Sequence, residues 1–488
     1  MKFLKVLCAV ALVLAVSTIA YAETQSVKIS GEITERAFAR DNFDLDNNNT
    51  VTTNTGYGSS DWATYLLSTV EVQVDADLTD NVAAVIRLEN QRVWGDQYYL
   101  SDNNGELGRI AGIRDQVVAR DVNWWGSLLN ESNAYKIGVD LAYIELKEFL
   151  YSPLTLRIGR QDLWFGKGFI IGNSLLDSEN NIYPQEYTCV TSFDAVRATL
   201  DYDPWTIDGV FAKMSENARR SDDDINLWGI NVGYVFDSYN AEVEGYWWYR
   251  QHRNPDTAAT IMSITANNNL TSNDVHTFGA RGSFDPIEDW TIALEGAYQA
   301  GDFIGIAAQR EERKRSAWAI DAMVECRYWQ DDFAWRPVLG AEYIYYSGEK
   351  DSGDRNVTSN GTYNGWDPMY RGKFDTAIRE FQNVFYRTTQ VSTPSFTNQH
   401  QLLVRGSVEP TDSLTVNATY AHFWLDKQYN EDNTRKNVGD EVDVTVTWDY
   451  TEDVSFGLLA GWFFPGNYWR GGEDNIATDV VGTVKLSF

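Results

Sequence analysis

Residues 479–488 read DVVGTVKLSF, and this final stretch decides the predicted fold. Successive side chains of an extended strand point to opposite faces, so Val480, Val484 and Phe488 share an apolar face while Asp479 and Lys485 share a polar one. A strand with one apolar and one polar face fits a sheet that has lipid on one side and water on the other. The last strand of an outer-membrane barrel pairs with the first, and a terminal Phe fits the aromatic girdle at the periplasmic rim. Taken by itself, this segment also fits an edge strand of a soluble β-sandwich, which is the alternative interpretation.

The same alternation runs through most of the chain in ribbons of about 10 to 15 residues. Val442, Val444 and Val446, for example, alternate with Asp443 and Thr445. Short turns and long loops join the ribbons alternately. The predicted ribbons are 26–40, 62–78, 82–94, 138–150, 154–161, 188–202, 205–216, 223–237, 240–253, 272–285, 288–302, 313–329, 334–348, 396–410, 413–427, 436–451, 453–465 and 474–488.

These ribbons, about 18 in number, predict an all-β fold: a transmembrane antiparallel up-and-down β-barrel with short periplasmic turns and long extracellular loops. Backbone polar groups must be paired in hydrocarbon, so strands of this kind must close into a ring. We expect residues 23–488 to form this single domain. Its longest loops are predicted at 95–134, 162–187 and 349–395, and the last two are candidates to fold into the pore.

The first 22 residues have the pattern of a cleaved signal peptide. Lys2 and Lys5 form a charged start, an apolar run follows at 6–20, and Ala-Tyr-Ala at 20–22 is a cleavage signal. The protein is therefore predicted to be exported. Together with the barrel pattern, this indicates the outer membrane of a Gram-negative cell.

Composition and charge narrow the class of protein. The formal net charge is −30 at pH 7, which argues against binding to nucleic acid. Aromatic residues make up 14% of the chain, as is typical of barrels with aromatic belts at both membrane interfaces. Cys189 and Cys326 fall at opposite ends of the predicted barrel, so we expect no disulfide between them.

The most informative motif is GRQDLWFGKGFIIGN at residues 159–173. Glycine, lysine, aromatic and aliphatic residues follow a strand here in an order that is neither strand nor helix. One interpretation is a loop folded into the pore. The other is a tight strand-to-loop corner in which the glycines serve backbone geometry. The spacing fits neither a P-loop nor a dinucleotide fingerprint.

The segment RIGRQDLWFGKGFIIGN at 157–173, followed by SFDAVRATLDY at 192–202, resembles the alginate-export family of outer-membrane proteins. The resemblance implies a monomeric barrel that passes an anionic polysaccharide through an arginine-rich lumen. It also implies that Arg160, Asp194 and Arg197 are pore or loop-anchoring residues. Arg157 and Lys167 are neighbours that we add to this set by position.

Strand phase adds three arginines that point inward near mid-height, namely Arg87, Arg281 and Arg405. A ring of arginines at a constriction can select anions. Inward acids nevertheless outnumber inward bases, so the lumen is not plainly basic. The alternative is that inward Arg and Glu side chains pair across strands and brace the barrel.

Three function classes follow. The first is a passive channel for a hydrophilic, anionic solute or polysaccharide, in contact with outer-membrane lipid and with periplasmic export or assembly machinery. The second is a barrel whose loops carry an enzymatic or surface-binding role, and the third is a soluble, secreted all-β protein. The histidines show no metal spacing and no hydrolase motif is present, so we predict no enzyme activity, cofactor or metal.

Overall fold

The computed structural model describes residues 25–43, 45, 62–94, 137–151, 153–172, 192–216, 224–252, 274–304, 312–330, 332–350, 361–380, 396–428, 434–469 and 475–488. These residues form one antiparallel sheet of 18 strands that closes on itself. The predicted all-β barrel is therefore confirmed. The predicted signal peptide and the loop 95–134 lie outside the described residues and stay predictions.

The strands have nearly the predicted bounds. In chain order they are β1 (Ser26–Asp41), β2 (Trp62–Thr79), β3 (Val82–Val93), β4 (Gly138–Leu146), β5 (Leu154–Gln161), β6 (Phe193–Tyr202), β7 (Trp205–Ser215), β8 (Ile225–Val235), β9 (Glu242–His252), β10 (Val275–Ile287), β11 (Trp290–Ile304), β12 (Glu312–Cys326), β13 (Val338–Tyr346), β14 (Gln399–Thr411), β15 (Leu414–Leu425), β16 (Asn437–Asp449), β17 (Val454–Pro465) and β18 (Ala477–Ser487).

The ring closes between the first strand and the last. β1 pairs with β2 along one edge and with β18 along the other, with Glu32 opposite Ser487. The Gly31 and Phe488 backbones exchange two hydrogen bonds, at 2.9 and 3.0 Å. The exposed Phe488 ring lies at the end of the barrel where the short turns lie.

Alternation separates an outer face from an inner one. On β8, Trp228 and Ile230 are exposed on the outside whereas Asn231 is buried on the inside. On β18, Val484 is exposed while Val481 is buried. An exposed apolar outer face with a polar inner face is the arrangement that a lipid-embedded barrel requires.

Several predicted ribbons extend beyond the observed strands, and backbone dihedral angles explain two of these differences. The predicted ribbon 138–150 ends at Leu146, because Glu148 and Leu150 have φ values of 50° and 64°, which no strand accommodates. The predicted ribbon 334–348 begins only at Val338, because Arg336 likewise has a positive φ of 44° in the preceding turn.

No helix in the described part of the chain is long and apolar enough to cross a membrane. Cys326 at the end of β12 is a buried free thiol. Cys189 lies outside the described residues, so the predicted absence of a disulfide between the two stays a prediction.

Candidate functional site: the lumen and its two inner segments

Two stretches of loop fold against each other inside the barrel. We call residues 162–172, which follow β5, the first inner segment, and residues 361–380, between β13 and β14, the second inner segment. Ile171 and Tyr370 form a parallel bridge. The Gly172 amide donates to the Tyr370 carbonyl at 2.8 Å, and the Gly372 amide donates to the Gly168 carbonyl at 2.9 Å. The two predicted pore loops therefore meet.

An ion pair fixes one end of the second inner segment to the wall. Arg250 of β9 donates two hydrogen bonds to the Asp367 carboxylate, at 2.8 and 2.6 Å, and Arg315 of β12 lies 3.6 Å away. Burial alone would raise the pKa of Asp367, but Arg250 and Arg315 lower it to about 2. Asp367 is therefore a fixed negative charge on a cationic patch of the wall.

A second cluster holds the middle of the same segment. Lys373 donates to Asp321 of β12 at 3.0 Å and also binds Glu342 of β13. Arg405 of β14 binds Glu342 and donates to Asp375 at 2.7 Å. Burial opposes the charge on Lys373, yet these carboxylates raise its pKa. The cluster joins three neighbouring strands to one loop.

The third attachment uses backbone amides. The Ile378 and Arg379 amides donate to the Glu441 carboxylate at 2.6 and 2.8 Å, and the Ala377 amide donates to Asp443 at 3.1 Å. Amides at the start of a helical turn have no partner within the turn. Two inward acids of β16 therefore bind loop backbone rather than face the water of the lumen.

Arg157 and Arg197, both predicted pore residues, stand directly opposite each other on β5 and β6. Arg157 donates to Glu145 at 2.6 and 3.1 Å, and Arg197 donates to Asp208 at 2.8 Å. Their side chains are 29% and 25% exposed. The inner face therefore carries one charged residue on each of four neighbouring strands, β4 to β7. In strand order these are Glu145, Arg157, Arg197 and Asp208.

The other predicted inward arginines also have carboxylate partners. Arg87 donates to Asp140 at 2.6 Å and lies 3.5 Å from Asp162 of the first inner segment. Arg281 donates to Glu242 at 2.7 Å and to Glu244 at 2.8 Å. Arg405 belongs to the Lys373 cluster described above. The predicted inward orientation of these arginines agrees with the strand registers.

Lys167 lies on the first inner segment, within the barrel. Its Nζ is 3.2 Å from the sulfur of Met323 on β12. Met323 belongs to β12, which lies six strands from β6 in the sheet, so the contact of Lys167 is with a different part of the wall from Arg157 and Arg197.

Arg160 and Asp194 lie on the other face of the wall. They are opposite each other in register, with Arg160 3.4 Å from Asp194. Their neighbours in the alternation, Ile158 and Val196, are exposed on the outer face, whereas Gln161 and Phe193 are buried on the inner one. The pair therefore faces outward, away from the lumen, and the pore or loop-anchoring role that the resemblance implies for these residues stays a prediction.

Sequence reasoning missed Asp367 and Lys373, which attach the second inner segment. The signal for Asp367 was the inward Arg250, whose partner lies 117 residues away in the chain. No periodic pattern marks an irregular loop, so the partner could not be found without the fold.

A closed barrel with an apolar outer face, a charged inner face and two loops folded into its lumen defines an outer-membrane porin-type β-barrel. The Alginate export family matches residues 39–483, and the chain belongs to this family. The resemblance drawn from the sequence is thereby confirmed. Family membership supports an outer-membrane location and a channel role.

Solved structures share the fold at low identity. The chain resembles OccAB4 of Acinetobacter baumannii with a TM-score of 0.54 and 11% identity over 96% of this chain and 99% of that one. OccAB3 of the same organism gives 0.53 and 9% identity over 95% and 99%. OccK9 (OpdG) of Pseudomonas aeruginosa gives 0.51 and 13% identity over 96% and 99%. A search of curated protein sequences found no match.

Proposed function

We propose that this protein is a passive outer-membrane channel for a hydrophilic, anionic solute or polysaccharide, and not an enzyme. The observation that carries the proposal is the pair Arg157 and Arg197. Both guanidiniums face the lumen, both are partly exposed, and they are adjacent in register. Two like charges placed directly opposite each other are unfavourable unless a counter-charge compensates for them.

Glu145 and Asp208 supply one carboxylate to each guanidinium. These two acids belong to β4 and β7, the strands on the outer sides of the arginine pair, so neither comes from β5 or β6 themselves. We propose that a solute anion binds between the two arginines, at the exposed part of each guanidinium. A carboxylate or phosphate of a passing solute would fit there, because guanidinium groups bind such anions through two parallel hydrogen bonds.

Aromatic rings hold both guanidiniums in place. The Arg157 guanidinium lies 4.5 Å from the centre of the Tyr143 ring, and that of Arg197 lies 5.0 Å from the Phe165 ring. Phe165 belongs to the first inner segment, so this segment both narrows the lumen and orients one arginine. A fixed side chain loses less entropy when it binds a solute.

The remaining candidates divide between two proposed roles. We assign Arg281 and Arg405, with their two carboxylates each, to bracing the wall and the inner segments. Arg87 lies next to the first inner segment through Asp162, and Lys167 belongs to that segment, so both would meet the solute there. The monomeric state and any contact with periplasmic machinery stay predictions.

Planar-bilayer recordings in a salt gradient test the arginine pair. We expect wild-type protein to prefer anions, and the double variant Arg157→Ala with Arg197→Ala to shift its reversal potential towards cations. Arg336→Ala is the control, because Arg336 lies in the turn before β13 and pairs with Glu409 and Asp412 outside the inner segments.

Two results would count against the proposal, and they differ in meaning. An unchanged ion preference in the double variant would remove the arginine pair from selectivity. Folded protein that carries no current at either polarity, even after deletion of the second inner segment, would remove the channel itself.

A further inference from the structure

Trp164 lies on the first inner segment and is 51% exposed within the barrel. Its indole N–H donates to the Gly166 carbonyl at 3.1 Å, so its one polar atom is already bonded. This bond fixes the ring against its own loop. The interior of such a barrel is mainly polar, so a half-exposed indole presents an apolar surface in a polar setting.

Three glycines from both inner segments form the floor beneath this ring. A Cβ added to Gly168 would lie 2.5 Å from the indole, one on Gly372 would lie 2.7 Å from it, and one on Gly172 would lie 3.0 Å from it. Gly168 also has a φ of +74°. The glycines let the six-membered ring rest directly on backbone, which explains their positions in both loops.

The ring therefore covers the glycines, while about half of the Trp164 side chain stays exposed. Polar groups lie close to it in the chain. Asp162 is exposed two residues earlier in the same segment, and it lies 3.5 Å from Arg87. Phe374, two residues after Gly372, is a second exposed aromatic side chain on the inner segments.

We propose that Trp164 is a stacking platform for the pyranose ring of a saccharide, with Asp162 and Arg87 as hydrogen-bonding partners for its hydroxyl groups. This inference rests on the proposed channel function and names a side chain that would contact the solute. The face of an aromatic ring is electronegative, and the C–H bonds on one face of a pyranose present a weakly positive surface to it. Water in the lumen competes for hydroxyl groups but not for this apolar contact.

The test is interruption of single-channel current by two probes, the neutral cellohexaose and the charged hexamer of galacturonate. In wild type, both should block the current, because the platform binds the ring and not the charge. In Trp164→Ala, the dwell time of each block should fall about tenfold, as for the loss of one good aromatic contact. Gly372→Ala should also shorten the block, because the added Cβ would lie 2.7 Å from the indole and 2.6 Å from the Gly172 backbone and so disturbs the floor beneath the ring.

Trp318→Ala is the matched control, since Trp318 is 55% exposed but lies on the outer face of β12. In this variant, the dwell time of each block by the two probes should stay within about twofold of the wild-type value. A difference in gel mobility between unheated and heated protein, equal to that of wild type, would verify that each variant is folded. Equilibrium dialysis of cellohexaose against detergent-solubilised protein provides a readout that needs no current.

Dwell times in Trp164→Ala equal to those of wild type would overturn the platform. So would a wild-type channel that conducts ions but neither is blocked by the probes nor binds cellohexaose. A third outcome separates the two proposals. If neither wild type nor variant carries current, but wild type binds cellohexaose and Trp164→Ala does not, the platform stands and the channel function fails.

Discussion

The barrel contains two arginine–carboxylate ion pairs in different settings. One joins Arg250 to Asp367, and the other joins Arg157 to Glu145. Arg250 is 3% exposed and bonds both carboxylate oxygens of Asp367, which belongs to a loop. Arg157 is 29% exposed and directs two nitrogens at one oxygen of Glu145, which belongs to the neighbouring strand. The first pair joins distant parts of the chain. The second leaves part of its guanidinium in the water of the lumen.

The difference shows that charge in the lumen serves two purposes that composition cannot separate. Most inward acids of β12, β13 and β16 bind the second inner segment, so they contribute little negative charge to the path of a solute. The arginines of β5 and β6 keep partial exposure. An excess of acids over bases inside the barrel is therefore compatible with a path lined by arginine.

Asp367→Ala should have the largest effect, since it leaves Arg250 buried without its bidentate partner. Breaking a buried ion pair by removing one member costs about 3–5 kcal/mol. We expect the second inner segment to detach, which would raise channel conductance and lower the midpoint of unfolding in urea. Arg157→Ala is the control, because its ion pair is more exposed than that of Arg250, and ion pairs open to solvent contribute only about 0–1 kcal/mol. Equal destabilisation by the two variants would contradict the distinction between them.

Acid should weaken the same attachment by a smaller amount. The pKa of Asp367 is about 2 in the folded protein, below the value of about 3.9 for an unperturbed Asp. A lowered folded-state pKa gives stability that is complete above the unfolded value and is lost as the pH falls through the folded one. The attachment should therefore lose roughly 2–3 kcal/mol between about pH 5 and pH 1.

Protease cleavage within residues 361–380, measured as a function of pH, checks this expectation. Wild type should become susceptible as the pH falls towards 2, with a protease that is active in acid. Asp367→Asn should be cleaved at every pH, because it lacks the charge that Arg250 and Arg315 bind. A pH profile that is the same in both proteins would show that Asp367 is not the titrating group.

The barrel was predictable and its interior was not, for one physical reason. A strand between lipid and water imposes a period of two on its side chains, and Val442 to Thr445 display it without reference to any other segment. The inner segments have no such period. Their positions depend on contacts such as Asp367 with Arg250, which join residues far apart in the chain, and on glycines that fit beneath Trp164.

Arg160 and Asp194 illustrate a conflict between two kinds of sequence evidence. The motif shared with the family places them beside Arg157 and Arg197, and this adjacency implied a common role. Alternation along β5 assigns Arg157 to the inner face and Arg160 to the outer one. The local period was the better guide to side-chain direction, because it follows from strand geometry.

The smallest effect should come from this outward pair. Arg160→Ala removes a guanidinium that is 25% exposed and lies 3.4 Å from an Asp194 that is 64% exposed. Such a pair contributes about 0–1 kcal/mol, so the urea midpoint should change little. The reversal potential should equal that of wild type, because the charge lies on the far side of the wall from the solute. A shift as large as that of Arg197→Ala would mean that Arg160 reaches the lumen and that the two faces of β5 are assigned the wrong way round.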